Sequence, residues 1–498
     1  MDSEENLQVE DPSPHPKHVV VVLLDSLNRH LLGAYGGTEF TTPNLDRFAE
    51  KSVVFENHHT GSLPCMPARH DLLVGALDFP WRPWGSVEIW EDAITFALRQ
   101  AGVTTMLVSD HPHLFECGGE NYHIDFDAWE YVRGHENDPW KTRPDPSWIG
   151  TPALPVDEPR RGHFKYQDSR TWFKSEEDFP GPHTMQAAVQ WVRTNAGHHE
   201  RSLLVIDEFD PHEPFDTPEP WASMYREQGD DPWMIWPPYV IDGLKNGLIT
   251  EEEGRSLRAA YGAKLSMIDH WFGKLLDAID SSPDSDETAV IICTDHGHYL
   301  GEFDVWGKPG FPIHNTLGHI PMMIRWPGIE PRREQALTTT VDIHATLCDI
   351  YEISVDHRTH GRSLVPLVKQ KVSGVRDHCL SGYWGREVQL VTQDYTYTRG
   401  SVGDGFPLSM WSNRWSTMPV HSRPDIRLPR PDQRAYLDAM PGSSVPVIRQ
   451  PFMQGDFLPF WAYGGLKNEN LLFDRNVDPG ELDNLAAVYG TVQTEIEK

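Results

Sequence analysis

Val19-Val20-Val21-Val22-Leu23-Leu24-Asp25 decides the fold class. Six apolar residues in a row, four of them β-branched, show no polar alternation, so the run has no wet face. Such a pattern suits a parallel strand buried on both faces. The run stops on a carboxylate. Open α/β sheets bind ligands beyond the C-terminal edge of their strands, so Asp25 is a site candidate by position alone. The same unit recurs along the chain. Residues 103–108 read as a strand delivering Ser109-Asp110-His111-Pro112-His113. Residues 203–206 run out into Asp207-Glu208-Phe209-Asp210-Pro211-His212. Residues 289–293 deliver Thr294-Asp295-His296-Gly297, and residues 320–326 form a further strand.

Helical patterns separate these strands. Thr42-Pro43 reads as an N-cap and first helical position, opening a helix to about residue 50. Residues 93–101, 183–195 and 341–351 read as helices. Leu257, Tyr261, Leu265, Ile268, Phe272, Leu275 and Ile279 recur every three or four residues, which marks an amphipathic helix of about 25 residues. Strands alternating with helices predict an α/β fold, a mostly parallel sheet flanked by helices on both faces. Residues 118–180 carry no period and read as long loops with short elements. Past residue 375 the texture changes, with Val388–Thr392 and Tyr395–Thr398 reading as an antiparallel pair. The expected organisation is a polar tail at 1–17, an α/β domain at 18–374 and a smaller C-terminal α+β subdomain at 375–498.

The chain has 498 residues and a net charge of −31, from 43 basic and 74 acidic side chains. That balance excludes non-specific nucleic-acid binding, which needs a basic footprint, and confines any anion site to a local basic pocket. Cys65, Cys117, Cys293, Cys348 and Cys379 are odd in number, widely spaced and free of any CxxC pair. They form neither a disulfide framework nor a cysteine–zinc site. The acidic start Met1-Asp2-Ser3-Glu4-Glu5 lacks the regions of a signal peptide, and no apolar run is long enough to span a membrane. The expectation is a cytoplasmic protein with no membrane partner, open to homo-oligomerisation.

Gly61-Ser62-Leu63-Pro64-Cys65-Met66-Pro67-Ala68-Arg69 carries the sharpest local chemistry. Two prolines stiffen the backbone around Cys65. If a helix opens here, Cys65 sits at its N-terminus, where the dipole favours an anion, and Arg69 lies one turn along on the same side. That suits a sulfate or phosphate ester; the plain alternative is a buried, inert cysteine in a turn. Asp25, Asp295 and His296 all follow buried strands and can converge on one sheet edge, where two carboxylates and an imidazole suit a divalent cation. Taken singly, each is equally readable as a loop residue or helix cap. His212 and Lys308 can reach an anion or a leaving-group oxygen, or can be solvated loop side chains. His111 and His113 are readable as substrate contacts, as supporting residues or as exposed. His58-His59 and His198-His199 read as surface histidines.

Cys65-Met66-Pro67-Ala68-Arg69 resembles the C-x-P-x-R signature of sulfatases. In family order, the chain also matches Asp25 with Leu32-Gly33-Ala34-Tyr35-Gly36 and Thr42-Pro43-Asn44-Leu45-Asp46. Asp210-Pro211-His212-Glu213-Pro214-Phe215, Thr294-Asp295-His296-Gly297 and Val341–Leu347 follow. Last come Leu472-Phe473-Asp474, Asp478-Pro479-Gly480-Glu481 and Asn484-Leu485-Ala486. The resemblance implies an alkaline-phosphatase-like fold and a 3-oxoalanine (formylglycine) made from Cys65 by a maturing enzyme. It also implies one divalent metal ion held by Asp25, Asp295, His296 and the modified Cys65. The activity it implies is hydrolysis of a sugar or aryl sulfate ester: the hydrated aldehyde attacks sulfur, the alcohol leaves, and sulfate is expelled as the aldehyde re-forms. Arg69 and the metal would stabilise charge on the transferring group, while His212 and Lys308 would serve the leaving oxygen.

Two departures stand out. Ser26 occupies the place of a second aspartate, and Ser109-Asp110-His111-Pro112-His113 replaces a G-K-W-H segment, removing one lysine. With His296 at a metal position, this resembles the branch containing phosphonate monoester hydrolases, phosphodiesterases and some arylsulfatases. Imidazole is softer than carboxylate, which favours Mn²⁺ over Ca²⁺ as the ion. The competing readings are a phosphonate monoester hydrolase or phosphodiesterase with the same machinery, and an inactive relative that binds sulfated glycans.

Overall fold

The computed structural model describes residues 15–116, 118–148, 164–226, 234–414, 431–440 and 444–488. Most of the expected N-terminal tail, Cys117 and parts of the 118–180 and 401–460 regions lie outside the described residues. Eight strands form the central sheet. They are β1 His18–Leu24, β2 Val53–His59, β3 Thr104–Ser109, β4 Ala128–Tyr131, β5 Ser202–Glu208, β6 Thr288–Cys293, β7 Met322–Arg325 and β8 Arg332–Thr339. Their spatial order is β8-β2-β7-β6-β1-β5-β3-β4. Every pairing is parallel except those of β7, which runs antiparallel to β2 and β6.

The all-apolar β1 lies between β5 and β6 and is buried along its whole length. Its alternate residues serve two cores. Val20, Val22 and Leu24 pack with α4 (Pro180–Asn195) and α5 (Glu251–Asp280), and Val19, Val21 and Leu23 pack with α2 (Cys65–Val74), α3 (Ile94–Gln100) and α6 (Val341–Tyr351). Helix α1, Pro43–Ala49, lies against α5. Helix α5 begins two turns before its apolar period. Thr250 Oγ1 accepts the Glu253 N–H and a Glu253 carboxylate oxygen accepts the Thr250 N–H, a capping box that the polar Glu251-Glu252-Glu253 start supports.

The register places the site residues. Leu24 pairs with Glu208 and Leu23 with Cys293, so Asp25, Asp207 and Asp295 emerge together at the C-terminal edge of the sheet. A five-stranded sheet follows, in the order Asn470–Asp474, Tyr395–Arg399, Val388–Val391, Cys379–Tyr383 and Ser62–Leu63. The expected antiparallel pair is its centre. Its edge strand, Ser62–Leu63, comes from the N-terminal part of the chain and leads directly into Cys65. Near the described C-terminus Glu481 is buried, and its carboxylate accepts the Asn315 N–H at 2.8 Å beside His314. Two three-stranded sheets remain. One comprises Val240–Ile241, Val305–Gly307, which leads into Lys308, and Tyr299–Leu300; the other comprises Leu408–Ser412, Pro446–Phe452 and Tyr436–Ala439. Among the described residues no helix is long and apolar enough to cross a membrane.

His58 and His59 are not on the surface. They end β2, an interior strand between β7 and β8, and both are buried. His58 Nδ1 lies 2.9 Å from Thr338 Oγ1 on β8, and the His59 ring stacks on His319 with centroids 4.7 Å apart. His198, by contrast, is exposed.

Packing between α1 and α5 carries much of one core. Phe272 is fully buried, edge-on to Phe48 with ring centroids 5.7 Å apart. Phe272→Ala is expected to cost about 3–5 kcal/mol, read as a lower urea midpoint at unchanged m-value.

Candidate active site

Helix α2 starts on Cys65 because the strand before it is latched to the helix across Pro64. Asp71 accepts the Ser62 N–H at 2.6 Å and the Ser62 hydroxyl at 2.7 Å. Gly61 leaves room for that latch; a Cβ there would sit 2.2 Å from Asp71 Oδ2. One turn into the helix, Arg69 is buried beneath the three strand ends. Its Nε and Nη2 donate to the two oxygens of Asp207 at 2.9 and 2.7 Å. Its Nη1 donates to Asp295 Oδ2 at 2.7 Å and to the Cys65 carbonyl at 3.2 Å, and Nη2 lies 2.9 Å from Asp25 Oδ2. Burial opposes the guanidinium's charge, but Asp207, Asp25 and Asp295 outweigh it and hold the proton more tightly than usual.

Asp25, Cys65, Asp295 and His296 each offer one ligating atom, and these atoms lie within 4.8 Å of one another. His296 Nδ1 faces the Gly297 carbonyl at 2.9 Å, which turns Nε2 inward, 3.3 Å from Cys65 Sγ. Gly297 itself has no room for a side chain, since a Cβ would meet the Thr316 carbonyl oxygen at 2.0 Å. Asp295 Oδ1 accepts the N–H groups of Ser26 at 3.0 Å and His296 at 2.8 Å. Burial works against the Asp295 carboxylate, yet His296, Arg69 and these donors hold its pKa far below the usual range. Asp25 Oδ1 accepts the Ser26 hydroxyl at 2.7 Å, while Oδ2 accepts no hydrogen bond. Burial and the charge of Asp295 push the Asp25 carboxyl well up.

These residues fit a divalent cation. The donors are oxygen, imidazole and sulfur, the imidazole's second nitrogen is already engaged, and one buried carboxylate oxygen lacks a hydrogen bond. The buried carboxylates Asp25, Asp207 and Asp295 share one buried guanidinium, Arg69, an excess of acidic groups that a divalent ion would relieve. Burial and the charge of Asp25 drive the Cys65 thiol well above its ordinary pKa.

Ser26, the residue in place of a second aspartate, links this group to Lys308. It adopts φ +62°, donates its hydroxyl to Asp25, and receives Lys308 Nζ at 3.1 Å. Lys308 Nζ also lies 3.9 Å from Glu213 Oε2, and His212 Nδ1 lies 3.3 Å from the same oxygen. The structure thus brings Cys65, Arg69, Asp25, Asp295, His296 and Lys308 into one buried cluster, with Lys308 and His212 joined through Glu213. His111 is fully buried, its ring tilted against Phe209 at 4.3 Å, with both ring nitrogens free of hydrogen bonds and Nδ1 3.9 Å from Asp207. Burial and the nearby Arg69 lower its pKa well below normal. His113 is partly exposed and lies between Glu116 and Glu136, with Nε2 3.5 Å from Glu136. Burial opposes its protonation, but Glu116 outweighs it and raises the pKa.

Two site residues escape a reading of the sequence, Asp207 and Glu213, while Ser26 stands out there only as a departure from the family pattern. Asp207 did carry a signal, a carboxylate closing a buried strand in the manner of Asp25. Glu213 carried none beyond its place between two prolines and a histidine.

Comparison with known proteins assigns the class: the chain is a hydrolase of the alkaline phosphatase superfamily, specifically a sulfuric ester hydrolase. It belongs to the sulfatase family, whose model matches residues 17–353. A choline-sulfatase of Rhizobium meliloti (strain 1021) is 28% identical over 381 residues, covering 70% of this chain and 71% of that protein. An arylsulfatase of Clostridium perfringens (strain 13 / Type A) is 23% identical over 403 residues, covering 72% and 80%. The fold matches the crystal structure of a phosphonate monoester hydrolase of Agrobacterium radiobacter at a TM-score of 0.65 and 18% identity, over 97% of this chain and 94% of that one.

A divalent ion bound among these crowded carboxylates would add to the stability of the fold. Chelation is expected to lower the melting temperature and re-addition of Mn²⁺ or Ca²⁺ to restore it. An ion at 100 times its Kd stabilises by about 2.7 kcal/mol. In Asp25→Asn this metal-dependent shift should shrink.

Proposed function

We propose that this sulfatase cleaves its ester with a formylglycine made from Cys65 and a divalent ion, Mn²⁺ or Ca²⁺, seated among Asp25, Asp295, His296 and residue 65. The observation that carries the reading is the position of Cys65. Its thiol opens a helix 3.3 Å from His296 Nε2, one turn from Arg69 and within the Asp25, Asp295 and His296 group that could hold a metal. A hydrated aldehyde at this position would supply an oxygen nucleophile and a route to expel sulfate. The ion would polarise that group and the ester oxygens.

The chain's own residues do the rest. Arg69, fixed by Asp207, holds positive charge beside residue 65 without any need to reorganise. Lys308, buried and tied to Ser26, presents an ammonium to the site. Burial opposes that charge, but Tyr239 and Glu213 sustain it. His212 is stacked on Phe209 with centroids 4.2 Å apart, and its Nδ1 faces the Glu213 carbonyl at 2.8 Å, leaving Nε2 for the leaving oxygen. His111 and His113 would flank the bound ester. A formylglycine-generating enzyme is the maturation partner this reading requires.

A second reading, phosphonate monoester or phosphodiester hydrolysis, is favoured by one feature: residues 109–113 hold no lysine, so the site has one cation fewer for a sulfate. A panel of choline sulfate, 4-nitrophenyl sulfate, a sulfated glucosamine and a phenylphosphonate monoester decides between them. The expected outcome is a higher kcat/KM on a sulfate ester than on the phosphonate, and loss of at least about 10³-fold in Cys65→Ala on every ester turned over. A Cys65→Ala protein with wild-type turnover would sink the mechanism.

A further inference from the structure

Glu213 is nearly fully buried, at 2% exposure, just past the end of β5. Its Oε2 lies 3.3 Å from His212 Nδ1, 3.4 Å from His298 Nε2 and 3.9 Å from Lys308 Nζ. Its Oε1 accepts the Tyr239 hydroxyl. Among the described residues, none of His212, His298 and Lys308 has another carboxylate within 4 Å. One carboxylate thus serves three basic side chains that come from three separate segments.

The geometry assigns the proton on His212. A carbonyl oxygen can only accept, so the nitrogen facing it, Nδ1, carries the hydrogen and Nε2 is the free one. The stack on Phe209 fixes the ring plane. The backbone carbonyl and Phe209 orient the ring with Nε2 free, and the Glu213 carboxylate, 3.3 Å from the same Nδ1, favours the ring's cationic form through its charge. Here the same carboxylate also faces the ammonium of Lys308. Burial holds the His212 pKa well below its ordinary value, and Glu213 is the acidic group that works against this. Tyr239 in turn fixes the carboxylate, because a bond to Oε1 leaves Oε2 aimed at the three bases.

We propose that Glu213 is a positioning residue for the leaving-group step: it sets one carboxylate against both His212 and Lys308, holding the ammonium of Lys308 and favouring the protonated form of His212, from which a proton or hydrogen bond reaches the departing alcohol oxygen. This rests on the leaving-group role given to His212 and Lys308 above. In the step it serves, a new S–O bond forms to the nucleophile's oxygen as the ester S–O bond breaks, the electron pair leaves on the alcohol oxygen, and the proton comes from Nε2 of His212 in its imidazolium form, which Glu213 stabilises, or from the Lys308 ammonium.

The consequence is dependence on the leaving group. A nitrophenolate departs without help, whereas an alkoxide needs its proton. The test compares kcat/KM of wild type, Glu213→Gln, Glu213→Asp and His212→Gln on 4-nitrophenyl, phenyl and butyl sulfates. Glu213→Gln is isosteric but uncharged, and should lose about 10²-fold on butyl sulfate while losing about tenfold less than that on 4-nitrophenyl sulfate. Glu213→Asp should recover part of the loss. A residue needed only for folding would lower all three rates alike, and that result, or no loss at all, overturns the proposal. If His212→Gln depends on the leaving group but Glu213→Gln does not, the inference fails and the underlying reading stands. If wild type turns over and His212→Gln affects all three esters equally, the leaving-group reading fails and takes the inference with it. Should Glu213→Gln not fold, Tyr239→Phe carries the same test, with a smaller loss again confined to the poorer leaving groups; an even loss across the three esters overturns the proposal there too.

Discussion

One buried guanidinium holds the ends of three strands together. Asp25, Asp207 and Asp295 close β1, β5 and β6, and parallel register brings them to one edge of the sheet. Three carboxylates in a dry space repel one another, and none would stay ionised there alone. Arg69 meets all three, two-pronged on Asp207 and single-pronged on the others. It can do so because α2 begins on Cys65, beside the same edge, and places residue 69 one turn in. The sheet therefore fixes the helix, and the helix fixes the chemistry of residue 65.

The same site shows two kinds of electrostatic support. On the metal side the carboxylates exceed their cations, which leaves a place for a divalent ion. On the far side the ratio is reversed. Glu213 alone faces two imidazoles and an ammonium, a cluster of hydrogen-bond donors suited to departing negative charge. Ser26 stands between them, bonded to Asp25 on one side and Lys308 on the other. An aspartate there would add a further ligand and a further negative charge against Lys308; the hydroxyl adds neither.

Much of this was legible in the residues. Asp25, Asp295 and His296 were readable because each follows an apolar run with no wet face. Cys65 and Arg69 were readable because their spacing matches one helical turn. Other parts were hidden for physical reasons. β8 begins Arg332-Arg333-Glu334-Gln335, the charged composition of an edge strand, and offers no apolar signal. β2 ends in two histidines, which suggest solvent until Thr338 and His319 are seen to cover them. Asp207 lies among Glu208 and Asp210, and only the register with β1 separates it from its neighbours. Glu213 acts through contacts with residues up to 95 positions away in the chain, which no local pattern encodes.

Formylglycine chemistry requires an aldehyde at residue 65, which sits at a helix start between Arg69 and His296. Mass spectrometry of the tryptic peptide covering residues 52–69, from protein of measured turnover, tests this directly. The account predicts an aldehyde or its hydrate at residue 65, in a fraction of molecules that tracks specific activity. Fully active protein carrying only the thiol at Cys65 would contradict it.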